Sequence, residues 1–354
     1  MGQPLPLCII GAGSIGLRHV EVAQASPLIA LTAIVEADET RRADLAAQGL
    51  PMVASLEDVP KATAAAVIAT PTPAHHQNAL DLIGQGLGVI VEKPLTATMA
   101  EGRAVIHAAD AAGVPLVTGH HRRCHPFTIA ARARLADIGD LVGVQGFWSL
   151  RKHDRYYDPL WRRSAGAGPL MTNLSHEIDL LRFLIGDLSQ VTALTSSARR
   201  GFEIEDTAAL ALRFENGALG SFLISDAGAS PWSFEAGTYE NPAIAGTGQD
   251  YLRITGTKGA LEFPSLKLWR ADYEGEVEWS KGLSADAGQS FSRIDPIRAQ
   301  MERFAALMAG KADDVLCSGA DGLAAMEATL STALSAKQGQ PVARGEVPPD
   351  FRGI

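Results

Sequence analysis

The first third of the chain alternates short, nearly charge-free apolar runs with stretches whose apolar positions recur at helical spacing. LPLCIIG (5–11), LIALTAIVE (28–36), AAAVIAT (64–70), GVIVEK (88–93) and VPLVTG (114–119) are mostly β-branched and lack the in–out alternation of a strand with one wet face. Such runs predict strands buried on both sides, as in a parallel sheet. Between them, residues 14–25, 38–49, 73–86 and 98–113 carry an amphipathic helical pattern, and several of these segments end at glycine, the usual helix stop. Strand and helix in turn give a doubly wound α/β sheet with crossovers of the usual hand.

Past residue 122 the period changes. A helix over 126–138 leads to alternating strands at 141–152, 191–199, 206–225, 251–264 and 267–271, with a hairpin signal, Glu215-Asn216-Gly217, inside the third. Alternation predicts an antiparallel sheet with one face packed and the other partly wet. Helices are expected over 175–186, 295–310 and 319–337. The stretch 226–250 has no period and is rich in Gly, Pro and Ala, so a functional or mobile loop is expected there, with Trp232 and Tyr239 over a site or against a neighbouring subunit. The expected fold class is α/β, with a doubly wound domain over 1–122 and an α+β domain over 123–354 built on a large open, mostly antiparallel sheet.

Composition narrows the partners. A length of 354 residues suits two domains of about 100–200 residues each. With 46% hydrophobic and 20% charged residues there is ample material for packed cores and no sign of disorder. A net charge of −9 repels polyanions, and the basic runs at 41–42, 120–123 and 162–163 are too short to track a phosphate backbone, so neither nucleic acid nor an anionic membrane is an expected partner. The three cysteines, Cys8, Cys124 and Cys317, are far apart and odd in number, which argues for a reducing compartment over a disulfide framework. With no export signal and no apolar run of about 18 residues, the cytoplasm is the expected location.

GAGSIG (11–16) directly follows an apolar strand and opens a helix. Gly11 would make the tight turn, Gly13 would let backbone N–H groups reach a pyrophosphate, and Gly16 would let the helix lie close to the strand; Ser14 and Ile15 complete the loop. Glu36 ends the second strand, where a carboxylate accepts hydrogen bonds from a ribose diol and repels a 2′-phosphate. That favours NAD over NADP, although Arg41 and Arg42 follow closely and would accommodate the phosphate. Lys93 stands at the carboxyl end of a strand, where ligands of open α/β sheets bind, and its ammonium would donate to an alcohol or carbonyl oxygen. In GAGPLMTNLSHEIDLLRFLIG (166–186), Leu174, Ile178, Leu181 and Leu184 or Ile185 form a core stripe, while His176 and Asp179 share another face and Ser175 opens the helix. An imidazole there would take a hydroxyl proton near neutral pH. HHRRCH (120–125) lacks a partner motif at metal-ligand spacing, so no metal is expected; one or two of His120, His121, Arg122 and Arg123 instead offer donors to a polar substrate. Arg151, Lys152, Tyr156, Trp161 and Arg162 set rings beside cations, a combination suited to a polyol and equally to a packed domain edge.

GAGSIGLRH, TPTPAHHQNAL (70–80), VEKPL (91–95) and the GAGP…SHEIDLLRFLIG segment, in this order and spacing, resemble the Gfo/Idh/MocA family, the glucose-fructose oxidoreductase and inositol dehydrogenase type. The resemblance runs over nearly the whole chain. It implies an N-terminal Rossmann domain binding NAD(P), a C-terminal substrate domain whose open sheet forms an interface between copies (a dimer or tetramer), and oxidation of a sugar or cyclitol hydroxyl. On matching positions it implies that Lys93 is the catalytic lysine and His176 the histidine near the reacting hydroxyl, that Thr70, Pro71 and His75 border the dinucleotide, and that Glu92 lies beside it. Many members carry Asp four residues before the histidine; this chain has Thr172 there, followed by Asn173, which would orient a substrate hydroxyl. An NAD-dependent polyol dehydrogenase is the expected function, with His121, Arg122, Trp161, Arg162, Asn173 and Asp179 toward the substrate. The alternatives are a dehydrogenase of a cyclic dihydrodiol from an aromatic acid, whose carboxylate the arginines would hold, and a dinucleotide-binding sensor without turnover.

Overall fold

Uninterrupted apolar runs become the sheet of the first unit: β1 (Leu5–Ile10), β2 (Ile29–Val35), β3 (Met52–Val53), β4 (Ala65–Ile68), β5 (Gly88–Val91) and β6 (Leu116–Thr118) are all parallel, in the order β3-β2-β1-β4-β5-β6. The order reverses at β1 and β4, which opens a crevice at the strands' carboxyl ends. The helices α1 (Ser14–Ala25), α2 (Glu39–Ala46), α3 (His75–Gly84) and α4 (Met99–Ala112) connect them. Cys8, Ile10, Ala66, Ile68, Val89 and Val91 share one core with Leu82 and Ile83 of α3 and Val105 of α4. Each large side chain so buried contributes about 1.5–3 kcal/mol. Burial also pushes the Cys8 thiol up to about 12, which leaves it unreactive.

The structure, a computed structural model, describes residues 3–292 and 294–353. Of the described residues, 3–124 form one compact unit with 295–326, and those within 125–294 form a second with 327–353. Everything past 122 was expected in one domain, so the membership of 295–326 departs from that expectation. The helix Pro296–Met308, capped by Asp295, packs on the first unit: a Cβ at Gly88 would meet Met308 Sδ at 2.3 Å, and Gln300 donates to Thr118 O at 3.2 Å. Beyond it, Thr118 N donates to Cys317 O at 2.8 Å and Val117 bridges Ser318, which covers the open edge of β6. An amphipathic pattern tells that a helix has a core to face, not which core. The final helix, Gly319–Gln338, starts in the first unit and ends in the second.

The second unit opens with α5 (Pro126–Arg134) and β7 (Leu141–Ser149), then α6 (Ser175–Ile185), β8 (Leu188–Ser196), β9 (Thr207–Phe214) and β10 (Leu219–Ser225). A short α7 (Phe234–Thr238) precedes β11 (Leu252–Gly256), β12 (Gly259–Phe263), β13 (Leu268–Arg270), β14 (Ser284–Ala285) and, near the end, β15 (Val342–Ala343). These nine strands form one sheet in the order β14-β13-β12-β11-β7-β10-β9-β8-β15. Its described pairs are antiparallel except β7 with β10. Strand β9 shows why alternation predicted a one-sided sheet: Ala208, Leu210, Leu212 and Phe214 are buried while Ala209, Ala211 and Arg213 are exposed. Leu181, Leu184 and Ile185 of α6 share the inner core with Leu210, Phe222 and Ile254. The 226–250 stretch is more ordered than expected. Ser233 caps α7 by accepting from Ala236 N, and Trp148 Nε1 donates to the buried Glu235 at 2.8 Å. Trp232 stacks edge-on against Phe147 of the sheet, ring centroids 5.3 Å apart.

Candidate functional site

In the first unit the glycine loop does three different jobs. Gly11 adopts φ +95°, a left-handed conformation that disfavours any side chain, and a Cβ there would lie 2.9 Å from Ala69 O. Gly16 is packed even more tightly, since a Cβ would stand 1.9 Å from Gly11 O. Gly13, the residue preceding α1, has nothing within 4 Å of a Cβ. Glycine there is not required by packing within the chain; the open space beside the first amides of α1 fits a pyrophosphate drawn to a helix N-terminus. Ser14 and Ile15 are exposed on the same turn.

Glu36 lies directly beyond β2. Its Oε2 accepts from Ala12 N at 3.1 Å, in the glycine loop, and its Oε1 accepts from Asp38 N at 2.9 Å. A carboxylate oxygen carries two lone pairs, so these bonds fix its direction and leave capacity for a ribose diol. Arg42 donates instead to the carbonyls of Glu36 (2.8 Å) and Ala37 (3.2 Å), which ties its guanidinium to backbone.

At the next strand ends, Thr70 and Pro71 follow β4, and Asn78 Nδ2 donates to Thr70 Oγ1 at 3.1 Å. His75 is buried, with Nδ1 2.9 Å from Pro94 O and Nε2 2.8 Å from Thr70 O. It therefore fastens the chain after β4 to the chain after β5. Glu92 is also buried: Oε1 lies 2.8 Å from His19 Nε2 of α1, and Oε2 accepts from Lys93 N at 3.2 Å. Burial opposes ionisation of Glu92, but the His19 hydrogen bond and the charges of His19, His121 and Lys93 outweigh it and hold the carboxyl at about 2. A Cβ at Gly119 would touch that carboxylate at 3.0 Å. Only its place in GAGSIGLRH marks His19 in the sequence, and 73 positions separate it from its partner. Lys93 is half-buried at the carboxyl end of β5, its backbone amide held by Glu92. Just after β6, His121 is half-buried and Arg122 buried in a short helical turn, and Arg123 pairs with Asp321 at 3.4 Å.

In the second unit the glycine-rich loop enters α6 through a π-helical turn, Leu170–Leu174, so helical structure begins five residues before Ser175. Such turns recur where a helix must aim particular side chains. Asn173 and His176 are half-buried, while Asp179 is buried. The expected core stripe, Leu174, Ile178, Leu181, Leu184 and Ile185, is buried, and Glu177, Asp179 and Arg182 are buried along with it. Burying charge is costly unless it is bonded, and here Tyr251 Oη donates to Glu177 at 3.1 Å while Arg182 pairs with Asp187 at 2.5 Å. The loop itself rests on Glu205, which accepts from Leu170 N at 2.9 Å and sits where a Cβ at Gly168 would clash; burial pushes its carboxyl up. Arg162 stacks over Tyr156 at 4.1 Å and lies 5.1 Å from the ring of Trp161, itself 62% exposed. Among the described residues no helix is long and apolar enough to cross a membrane.

A parallel sheet with order reversal, a glycine loop at its switch point and a carboxylate at the end of β2 define a dinucleotide-binding α/β unit, here followed by an open-sheet α+β unit. Residues 6–120 match the oxidoreductase family with an NAD-binding Rossmann fold, and residues 128–262 match the GFO/IDH/MocA C-terminal domain. The chain belongs to the GFO/IDH/MocA oxidoreductase family. It is 32% identical over 168 residues to a 1,5-anhydro-D-fructose reductase of Ensifer adhaerens, covering 45% of this chain and 49% of that protein. It is 28% identical over 229 residues to a 1-carboxy-3-chloro-3,4-dihydroxycyclohexa-1,5-diene dehydrogenase of Comamonas testosteroni, covering 62% and 55%. The chain thus spans about half the length of these curated relatives. In fold it is similar to a crystal structure of an oxidoreductase from Agrobacterium radiobacter in complex with NAD+, L-tartaric acid and magnesium, with TM-score 0.76 at 18% identity over 96% of this chain and 98% of that one.

Proposed function

We propose that the protein is an NAD-dependent dehydrogenase that moves hydride between a secondary hydroxyl of a sugar, cyclitol or related polyol and the nicotinamide. The observation that carries this is the placement of Lys93: its ammonium stem leaves the carboxyl end of β5, and its own amide is anchored by the buried, ionised Glu92. NAD, rather than NADP, is supported by Glu36, whose carboxylate is held by Ala12 N and Asp38 N beside the glycine loop, where a ribose diol would bind.

Gly11, Gly13, Ser14, Ile15, Gly16, Glu36, Thr70 and Pro71 would hold the dinucleotide, with His75 and Glu92 bordering it. When bound, it supplies the hydride acceptor. Lys93 donates to the reacting oxygen, and His176 takes the hydroxyl proton during oxidation or returns it during reduction. The remaining polar groups, His121, Arg122, Trp161, Arg162, Asn173 and Asp179, are assigned to the substrate. A panel of polyols assayed for NADH formation tests the reading, and a panel without any absorbance change would favour a sensor. A cyclic acid diol is the second reading, favoured by the cations Lys152, Arg162 and Arg200 gathered around Tyr156 and Tyr157. The open face of the second sheet, with Ala209, Ala211, Leu219 and Leu194 exposed, supports association of like copies. The cytoplasm is the proposed location.

A further inference from the structure

Lys152 follows β7 and is a lysine in an unusual setting. Its side chain is only 14% exposed, and burial pulls its pKa down while the nearby Asp226 carboxylate pushes it back up. The ammonium lies 4.7 Å from the Tyr156 ring centroid, 3.5 Å from Asp226 Oδ2 and 2.9 Å from Asn173 Oδ1. Asp226 is already engaged, because Tyr157 Oη donates to it and Arg200 Nε reaches its other oxygen at 3.3 Å. Asn173 is the member of this cluster whose orientation Lys152 decides.

An asparagine amide has an accepting end and a donating end that differ little in shape, so neighbours settle which way it turns. Thr172 does not settle it. Its hydroxyl lies 3.0 Å from Asn173 Oδ1 and 2.9 Å from Gly168 O, and one proton cannot serve both. Lys152 does settle it, because an ammonium has three donors and no acceptor, so the atom facing it must be the amide oxygen. The amide nitrogen is thereby turned away. Among the described residues Nδ2 of Asn173 has no hydrogen-bond partner, and it belongs to the turn immediately before His176.

We propose that Lys152 is a positioning residue that fixes Asn173 as a hydrogen-bond donor, so that this part of the site takes an oxygen acceptor of the ligand, either a hydroxyl lone pair or a carboxylate. The naming of that ligand as the substrate rests on the functional reading above. A carboxylate at the same place would have the opposite character: it would pair with Lys152 and offer only acceptors. Asn173 is therefore not a neutral stand-in for an acidic residue.

The test compares Asn173→Asp, Asn173→Ala, Lys152→Met and Lys152→Arg, using myo-inositol and D-gluconate as neutral and anionic probes. Asn173→Asp is expected to raise KM roughly 10- to 100-fold, at least as much as Asn173→Ala, with the smaller effect on kcat and unchanged NADH affinity. Lys152→Met should shift KM in the same direction and Lys152→Arg should restore part of it. A larger loss for gluconate than for myo-inositol identifies the acceptor as a carboxylate, and equal losses identify it as a hydroxyl. Asn173→Asp turning over at or above the wild-type rate overturns the proposal. If Lys152→Met does not fold, the nearly isosteric Asn173→Asp still decides. If the wild type oxidises neither probe, calorimetric titration of the NADH-loaded protein separates the two claims. Gluconate or inositol binding that Asn173→Asp weakens at least tenfold upholds the donor assignment without the dehydrogenase reading, whereas equal binding, or none to the wild type, overturns it.

Discussion

His19 Nε2 of α1 lies 2.8 Å from Glu92 Oε1 beyond β5, and both side chains are buried. This pair ties the helix that follows the glycine loop to the segment that carries Lys93. His19→Ala leaves the carboxylate buried without its ring partner and should lower the unfolding free energy by roughly 3–5 kcal/mol in a denaturant titration. The pair also sets an acid limit. The folded Glu92 carboxyl sits at about 2, below its ordinary 4.5, so its stabilisation is complete above the ordinary range and is lost as pH falls through that window. Glu92→Gln should flatten the pH dependence of the denaturation midpoint between those values.

Gly13 and Gly16 should respond oppositely to added carbon. A Cβ at Gly13 meets nothing within 4 Å, so Gly13→Val should keep stability within about 1 kcal/mol yet abolish NADH binding by fluorescence titration. At Gly16 a Cβ would stand 1.9 Å from Gly11 O, so Gly16→Ala should cost about 1–3 kcal/mol of stability before any ligand is added.

Glu36 should govern cofactor choice. Glu36→Ser removes the acceptor oriented by Ala12 N and Asp38 N and should weaken NADH binding roughly tenfold while improving NADPH relative to it. Paired titrations with the two reduced cofactors read the change, and unaltered selectivity would place the ribose elsewhere.

The open sheet should hold copies together. Leu194 and Leu219 are 72% and 54% exposed, and lysine at both would set like charges against each other across a sheet-to-sheet contact. Light scattering should then give a smaller mass than for the wild type. An unchanged mass would remove these residues from the interface.

Much of the fold was legible because the two burial regimes write different patterns. Runs such as CII and VIV, buried on both faces, read as parallel strands, whereas TAALALRF alternates and reads as a one-sided sheet. Two-residue strands such as β3, β14 and β15 carry too few positions for any period, and α7 is one turn held by a cap and by Trp148. The return of 295–326 to the first unit left no trace in composition. The placement of the glycine loop, Glu36 and Lys93 at strand ends was legible because it is local in sequence. The roles of His19, His75 and Lys152 were not, since each depends on a partner brought close only by folding: Glu92, the Thr70 and Pro94 carbonyls, and Asn173.

The most direct measurement follows NADH formation from a polyol panel with the wild type, Lys93→Met and His176→Ala side by side, with NADH affinity recorded for each. Joint action of the ammonium and the imidazole on one hydroxyl predicts turnover by the wild type, a loss of about 10²- to 10⁴-fold in each variant, and cofactor affinity retained in His176→Ala. Near-normal turnover in either variant, or a wild type that binds NADH and oxidises nothing in the panel, would contradict it.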